Sequence, residues 1–225
     1  MSVLQLFLDW ISQPAQWTGP EGIPARLAEH LWYSVVALAV AAAVALPAGL
    51  AIGHTGRGAF LVVNSANAAR ALPTLGLLVL VVTLVGLGLV PVLVPLIALA
   101  IPPILVNTYE GIRQVDADLR DAAEGMGMTG REVLLKVEAP VALPLILLGL
   151  RTAAIQIVAT ATIAAYVGLG GLGRFIFDGL ARRDYETVVG GAALVALLAV
   201  LTEIVFALIQ RLVVAPGIRH RAAAR

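Results

Sequence analysis

The chain has 225 residues, of which 60% are hydrophobic and 13% charged, and its mean hydropathy is +0.96. A soluble domain carries about 25% charged residues, and a water-facing surface cannot be covered with half that, so a soluble globular fold is excluded. The formal net charge of +1 points to no nucleic-acid partner, and the absence of cysteine removes disulfides, thiol catalysis and cysteine metal sites.

At about 20 residues per span, the length accommodates about five or six membrane-crossing helices, which predicts one all-α bundle. Residues 1–29 hold Asp9, Glu21, Arg26 and Glu29 among short apolar runs, a poor match to a secretory signal. Trp10, Trp17, Trp32 and Tyr33 suit a segment lying at the membrane interface. A first span is predicted over Leu31–Gly53, followed by the polar turn His54–Gly58. The next apolar stretch, Ala59–Val82, is interrupted by Asn64, Asn67, Arg70 and Pro73. Leu89–Asn107 holds Pro91, Pro95, Pro102 and Pro103. Broken helices surround the substrate path in transporters, which makes Asn67 and Pro73 candidates for such a path. Prolines are also commoner in membrane helices generally, and the sequence leaves both readings open.

Residues 110–139 form the only long polar stretch, and the pattern predicts two short helices with a sharp corner. Asp116 is placed to cap a helix running to about Met126, and Gly127 suits a left-handed residue that ends it. Thr129-Gly130-Arg131-Glu132 has the form of a capping box, starting a second helix that reaches about Val137, with Pro140 ending or kinking it. Ala122, Ala123 and Gly127 would present a side-chain-poor surface that a partner's backbone can approach closely. A solvated hairpin that only connects spans is the alternative.

A fourth span is predicted over Val141–Val167 and a fifth over Thr187–Val214, giving about five. Arg151 and Glu203 sit inside these two spans, where an isolated charge costs about 2.5–3.5 kcal/mol on insertion scales. Opposite charges at similar depth predict a pair, read as a structural clamp ahead of a substrate contact. Thr152, Gln156 and Thr160 recur every four residues and share a helix face, either lining a translocation path or bonding a neighbouring helix. Gly168, Gly170 and Gly173 match G-x-G-x-x-G, but no strand precedes them, so a dinucleotide site does not follow. With Gly171, they are expected to turn the chain sharply into Phe175–Leu180, a candidate outer gate or a simple link.

The three histidines, His30, His54 and His220, show no metal-ligand spacing. Arg57, Arg113, Arg120, Arg131, Lys136, Arg219, Arg221 and Arg225 fall on one side of a five-span arrangement, against Arg26, Arg174, Arg182 and Arg183 on the other. This bias places the polar loop and C-terminus in the cytoplasm and the N-terminus outside. The expected organisation is an interfacial segment over 1–29, a membrane domain over 30–214 containing the loop 110–139, and a basic cytoplasmic tail over 215–225.

Asp121-Ala122-Ala123, then Gly127, then Val137-Glu138-Ala139-Pro140 after a spacer resembles the "EAA" loop of ABC-importer permeases, with Asp121 for the usual Glu and Ala139-Pro140 for the usual Leu-Pro. Ala71-Leu72-Pro73-Thr74-Leu75, Asn107–Ile112, Gly125–Thr129, Gly149–Ala153 and Gly168–Gly173 resemble the permeases for the osmoprotectants glycine betaine, choline and carnitine. The resemblance runs from about His30 to Arg211, and methionine-importer permeases share the same plan.

It implies a permease of the prokaryotic cytoplasmic membrane whose loop residues Asp121, Ala122, Ala123, Gly127, Thr129, Glu132 and Pro140 form a coupling element. Implied partners are cytoplasmic ATPase subunits, a second permease, identical or paralogous, and a separate extracytoplasmic binding protein. No P-loop is present, so ATP would be bound by the partner subunits and the chain itself would not be an enzyme. No aromatic cluster resembles a quaternary-ammonium cage, which leaves substrate selection to the binding protein. A permease for another small solute such as methionine, and a self-sufficient secondary transporter, are the alternatives.

Overall fold

The computed structural model describes residues 2–62, 64 and 73–214. All regular structure among them is helical: α1 (Val3–Ile11), α2 (Ile23–Thr55), α3 (Thr74–Val85), α4 (Leu89–Arg113), α5 (Ala117–Gly125), α6 (Gly130–Val133), α7 (Ala139–Thr160), α8 (Gly173–Arg182) and α9 (Tyr185–Val213). A π-helical segment, Leu134–Glu138, joins α6 to α7, and 3₁₀ turns occupy Pro14–Trp17 and Ala161–Val167. Four helical stretches are long and apolar enough to cross a membrane: 23–55, 89–113, 130–167 and 185–213. The shorter apolar α3 adds to them, which matches the expected all-α membrane bundle of about five spans. The first span begins eight residues earlier than predicted, because Ile23 and Leu27 are drawn into an apolar cluster and extend the helix N-terminally.

The helices divide into two compact units. The first is drawn from Met1–Ala39, Leu72–Leu99 and Ala154–Thr202. Its core gathers Trp10, Ile23, Val158, Leu172, Phe175 and Leu198. Trp10 is the anchor: α1 lays its indole on the bare backbone of Gly190, where a β-carbon would overlap the ring, and its edge meets Phe175 at a centroid distance of 5.2 Å. Val3, Leu4 and Leu8 of α1 stay exposed, the pattern of a helix lying in an interface.

The second unit is drawn from Val40–Ala71, Ala100–Ala153 and Glu203–Arg225. Here small residues bring backbones together. A β-carbon on Gly49 would meet Thr108 Cβ at 2.7 Å, one on Gly53 would meet Ile112 Cβ at 2.7 Å, and one on Gly149 would meet the Pro103 carbonyl oxygen at 2.8 Å. Gly111 packs on Ala142 in the same way, so α2, α4 and α7 form a tight trio around Ile112, Ala142 and Ile146.

Candidate functional site

The polar stretch between α4 and α7 folds as a helical hairpin. Asp116 caps α5 by accepting the Asp118 amide at 3.0 Å, and Gly127 closes the corner with φ +83°. The Thr129–Glu132 capping box is formed: the Glu132 amide donates to Thr129 Oγ1 at 3.4 Å and the Thr129 amide donates to Glu132 Oε2 at 3.0 Å. Lys136 extends it with a 2.8 Å bond to Glu132 Oε1. Asp121, Ala122, Gly125 and Gly127 are exposed at the corner, and Met126 is 72% exposed.

Two expectations need correction. Ala123 is 2% exposed, so it is buried and not part of the exposed corner surface. The corner surface is carried by Ala122, Gly127 and Met126 instead. Pro140 does not end the helical path, which runs unbroken over Gly130–Val167, and it stands at the second residue of α7. The irregularity falls just before the ring, where the chain widens to π geometry and the Ala139 amide bonds to the Leu134 carbonyl five residues back. Proline's missing N–H thus falls at a register change where the α-helical ladder is already interrupted.

The π segment has a second consequence. Val133 and Glu138 are both buried although five residues apart, a spacing that an α-helix would put on different faces. Glu138 then continues inward as Ala142 and Ile146, each four residues on. The carboxylate, 1% exposed, meets His54 Nδ1 at 2.6 Å from the end of α2 and Arg120 Nε at 2.7 Å from α5. The Arg120 contact is an ion pair whose Nε–H is not aligned as a hydrogen bond, while the same guanidinium donates from Nη2 to the Ile112 carbonyl of α4 at 2.5 Å. Sequence reading placed none of this, because His54 and Glu138 are 84 residues apart and no local pattern marks a π insertion.

Within the spans, Arg151 and Glu203 are brought together: Arg151 Nε donates to Glu203 Oε2 at 2.5 Å, and Nη2 faces Oε1. Gln156 is exposed, and Thr152 and Thr160 are half-buried. Thr152 bonds the Leu148 carbonyl of its own helix at 2.9 Å, rather than a neighbour. Pro73 precedes α3 as its N-cap residue, and Asn67 lies outside the described residues, as do Arg70 and the basic tail.

The glycine connector after the 3₁₀ turn is pinned by α2. The Gly171 amide donates to Glu29 Oε2 at 2.8 Å and the Leu172 amide to His30 Nδ1 at 3.3 Å, while His30 Nε2 donates to the Val158 carbonyl at 2.9 Å. Those two bonds fix the neutral ring's tautomer. Gly168 and Gly171 have φ +81° and +92°, and β-carbons on Gly170 and Gly173 would collide with the Glu29 carboxylate and the Thr162 carbonyl. Around α8, Arg174 pairs with Asp178 at 3.0 Å and Arg26 with Glu21 at 3.3 Å, bordering a polar cleft of about 290 Å³. The glycine pattern is legible in the sequence, whereas nothing local marks Glu29 or His30 as its partners.

Apolar spanning helices, a capped polar hairpin and a glycine-pinned connector define a multi-pass helical membrane protein. The family model described as "Binding-protein-dependent transport system inner membrane component" matches residues 21–219, and the chain belongs to that family of permease subunits. It is 39% identical over 194 residues to the glycine betaine/carnitine/choline transport system permease protein OpuCB of Bacillus subtilis (strain 168), covering 86% of this chain and 89% of that one. It is 37% identical to the choline transport system permease protein OpuBB of the same organism, covering 85% and 88%. Among solved structures, an inward-facing conformation of the MetNI methionine ABC transporter aligns with TM-score 0.71 and 26% identity over 84% of this chain and 94% of that one.

Proposed function

We propose that this chain is the permease subunit of an ATP-driven importer for a small quaternary-amine osmoprotectant such as glycine betaine, choline or carnitine. The observation that carries the substrate class is the 39% identity, spread over most of both chains, to a permease named for those three solutes. The likeness to the methionine transporter is at 26% identity and supports the shared architecture more than the cargo.

In this reading the hairpin over residues 116–138 is cytoplasmic and docks on an ATPase subunit through the exposed corner of Asp121, Ala122, Met126 and Gly127. Thr129 and Glu132 brace its second helix. ATP is bound and hydrolysed by that partner. The membrane domain pairs with a second permease, identical or paralogous, and the polar groups of Thr152, Gln156 and Thr160 line the path. Weakly polar side chains suit a passage that must not retain its cargo. The connector Gly168–Gly173 lies on the opposite side, where a separate binding protein delivers substrate. Arg151 and Glu203 neutralise one another as a structural clamp, since an unpaired arginine would repel a cationic cargo.

The test is reconstitution of the permease with its ATPase and binding protein in liposomes, followed by uptake of labelled glycine betaine, choline, carnitine and methionine. ATP-dependent uptake of at least one quaternary amine is expected. Preference for methionine transfers the cargo assignment, and uptake without ATP under an ion gradient overturns the importer reading.

A further inference from the structure

Three elements meet at one buried carboxylate, and a fourth is joined to them through a guanidinium. Glu138 closes the π segment leading into α7, His54 ends α2, Arg120 belongs to α5, and the Arg120 guanidinium also holds the Ile112 carbonyl of α4. The trio α2, α4 and α7 is closely packed at its glycines, where β-carbons on Gly49, Gly53 or Gly149 would clash with the neighbouring helix. The hairpin lacks such contacts at its corner, where β-carbons on Gly125 and Gly127 would meet nothing within 4 Å. Its polar attachments to the trio are the Arg120 bond to the Ile112 carbonyl and the Glu138 contact with His54, and Arg120 and Glu138 face each other.

We propose that Glu138 is a positioning residue for transport: it holds the docking helix α5 on the ends of α2 and α4, so that displacement of α5 reaches the membrane helices through this carboxylate. The inference rests on the reading of the hairpin as the ATPase-docking element and adds the joint that transmits its movement. The geometry fits such a joint. A carboxylate has two oxygens, and here one faces His54 while the other faces Arg120, so a single rigid group fixes the distance between α2 and α5. The π insertion is what turns this side chain inward; an α-helical register after Val133 would have turned it away.

The experiment uses the complete importer in liposomes, and measures molecules of labelled glycine betaine taken up per ATP hydrolysed. In Glu138→Gln, which keeps size and removes the charge, the complex still assembles and the ratio falls by about tenfold, within the 5–150-fold range of typical couplings between sites. Arg120→Gln, which leaves the glycine contacts of the α2–α4–α7 trio in place, lowers the ratio in the same way and serves where Glu138→Gln assembles poorly. The double variant Arg120→Gln with Glu138→Gln, which lacks both halves of the Arg120–Glu138 link, shows a ratio as low as the single variants, and recovery to the native ratio overturns the proposal. A purely structural role would lower uptake and hydrolysis together and leave their ratio unchanged. A native ratio in either single variant overturns the proposal. If the unmutated chain fails to co-purify with its ATPase, the docking reading itself fails and the joint falls with it.

Discussion

Glu138 and Glu29 are both carboxylates that tie distant segments of the chain, and they do it with different chemistry. Glu138 is held between two side chains that are cationic or able to become so, 84 residues or fewer away. Glu29 pairs with Arg26 at 3.1 Å on its own helix, and its distant partner is a backbone amide 142 residues away, in a connector where a β-carbon on Gly170 would occupy its place. A side-chain-to-side-chain joint has rotamers and can re-form elsewhere. A side-chain-to-backbone latch on glycines with left-handed φ has one geometry. The first suits a place where a partner pushes, the second a place where the chain must turn tightly and stay turned.

The largest effect should come from emptying the first joint. Glu138→Ala leaves Arg120 and His54 facing a void, and breaking a buried pair typically costs about 3–5 kcal/mol. The low end, about 3 kcal/mol, is expected because both partners keep partial solvent access. Thermal unfolding in detergent measures it. Glu29→Gln keeps a neutral acceptor for the Gly171 amide and should lose only about 1 kcal/mol. Equal losses in the two would break the distinction between joint and latch.

The latch is better attacked through its glycines. Gly173→Ala drives a methyl against the Thr162 backbone, which cannot move aside as a side chain does, and about 2 kcal/mol is expected. Gly168→Ala meets no neighbouring atom, so only the left-handed φ of +81° is penalised, at about 1 kcal/mol. A larger loss at Gly168 than at Gly173 would show that torsion, not close approach, governs the connector.

Arg151 and Glu203 give a second side-chain pair to set beside Glu138, this one more open to its surroundings. A double-mutant cycle of Arg151→Met and Glu203→Gln should return a coupling of about 1 kcal/mol, with the double variant more stable than the sum of the singles predicts. Additivity would reopen Arg151 as a path-lining residue.

What the sequence made legible follows the range of each interaction. The helices could be read because hydropathy is local, and the Asp116 cap and the Thr129–Glu132 box because their partners lie within three residues. The Arg151–Glu203 pair was reachable from energetics, since two charges in apolar spans need each other. Ala123 was misplaced because small residues signal close approach without saying whether the neighbour is a partner or the chain's own next helix. Glu138, His54, Glu29 and His30 were invisible as a group: each has an unremarkable local setting, and only the fold joins them. The π insertion hides Glu138 further, because its five-residue step matches neither the three- nor the four-residue spacing by which a helix face is read.

The smallest expected effect refines the latch side of the comparison. Asp184 follows α8 and accepts from Thr187, from its hydroxyl at 2.6 Å and from its amide at 3.2 Å, capping the start of α9. The Thr187 hydroxyl is the main cause holding this carboxyl below its usual value of 3.8, with burial opposing and backbone amides assisting. A depressed folded value means that the ionised form is bound more tightly in the folded chain than in the unfolded one. The contribution is therefore fully present above about pH 3.8 and fades as pH falls through the lower folded value. Asp184→Ala should cost about 1 kcal/mol at neutral pH, the size of an N-cap loss. Between neutral pH and strong acid the difference between native and Asp184→Ala unfolding temperatures should shrink, while Thr187→Val, which removes the hydroxyl but keeps the amide, should shrink it only in part at every pH. If the gap stays constant into acid, the cap does not depend on the carboxylate's charge. Asp184 would then act as a hydrogen-bond acceptor alone, a task an amide could perform, unlike Glu138 and Glu29, which each face an arginine.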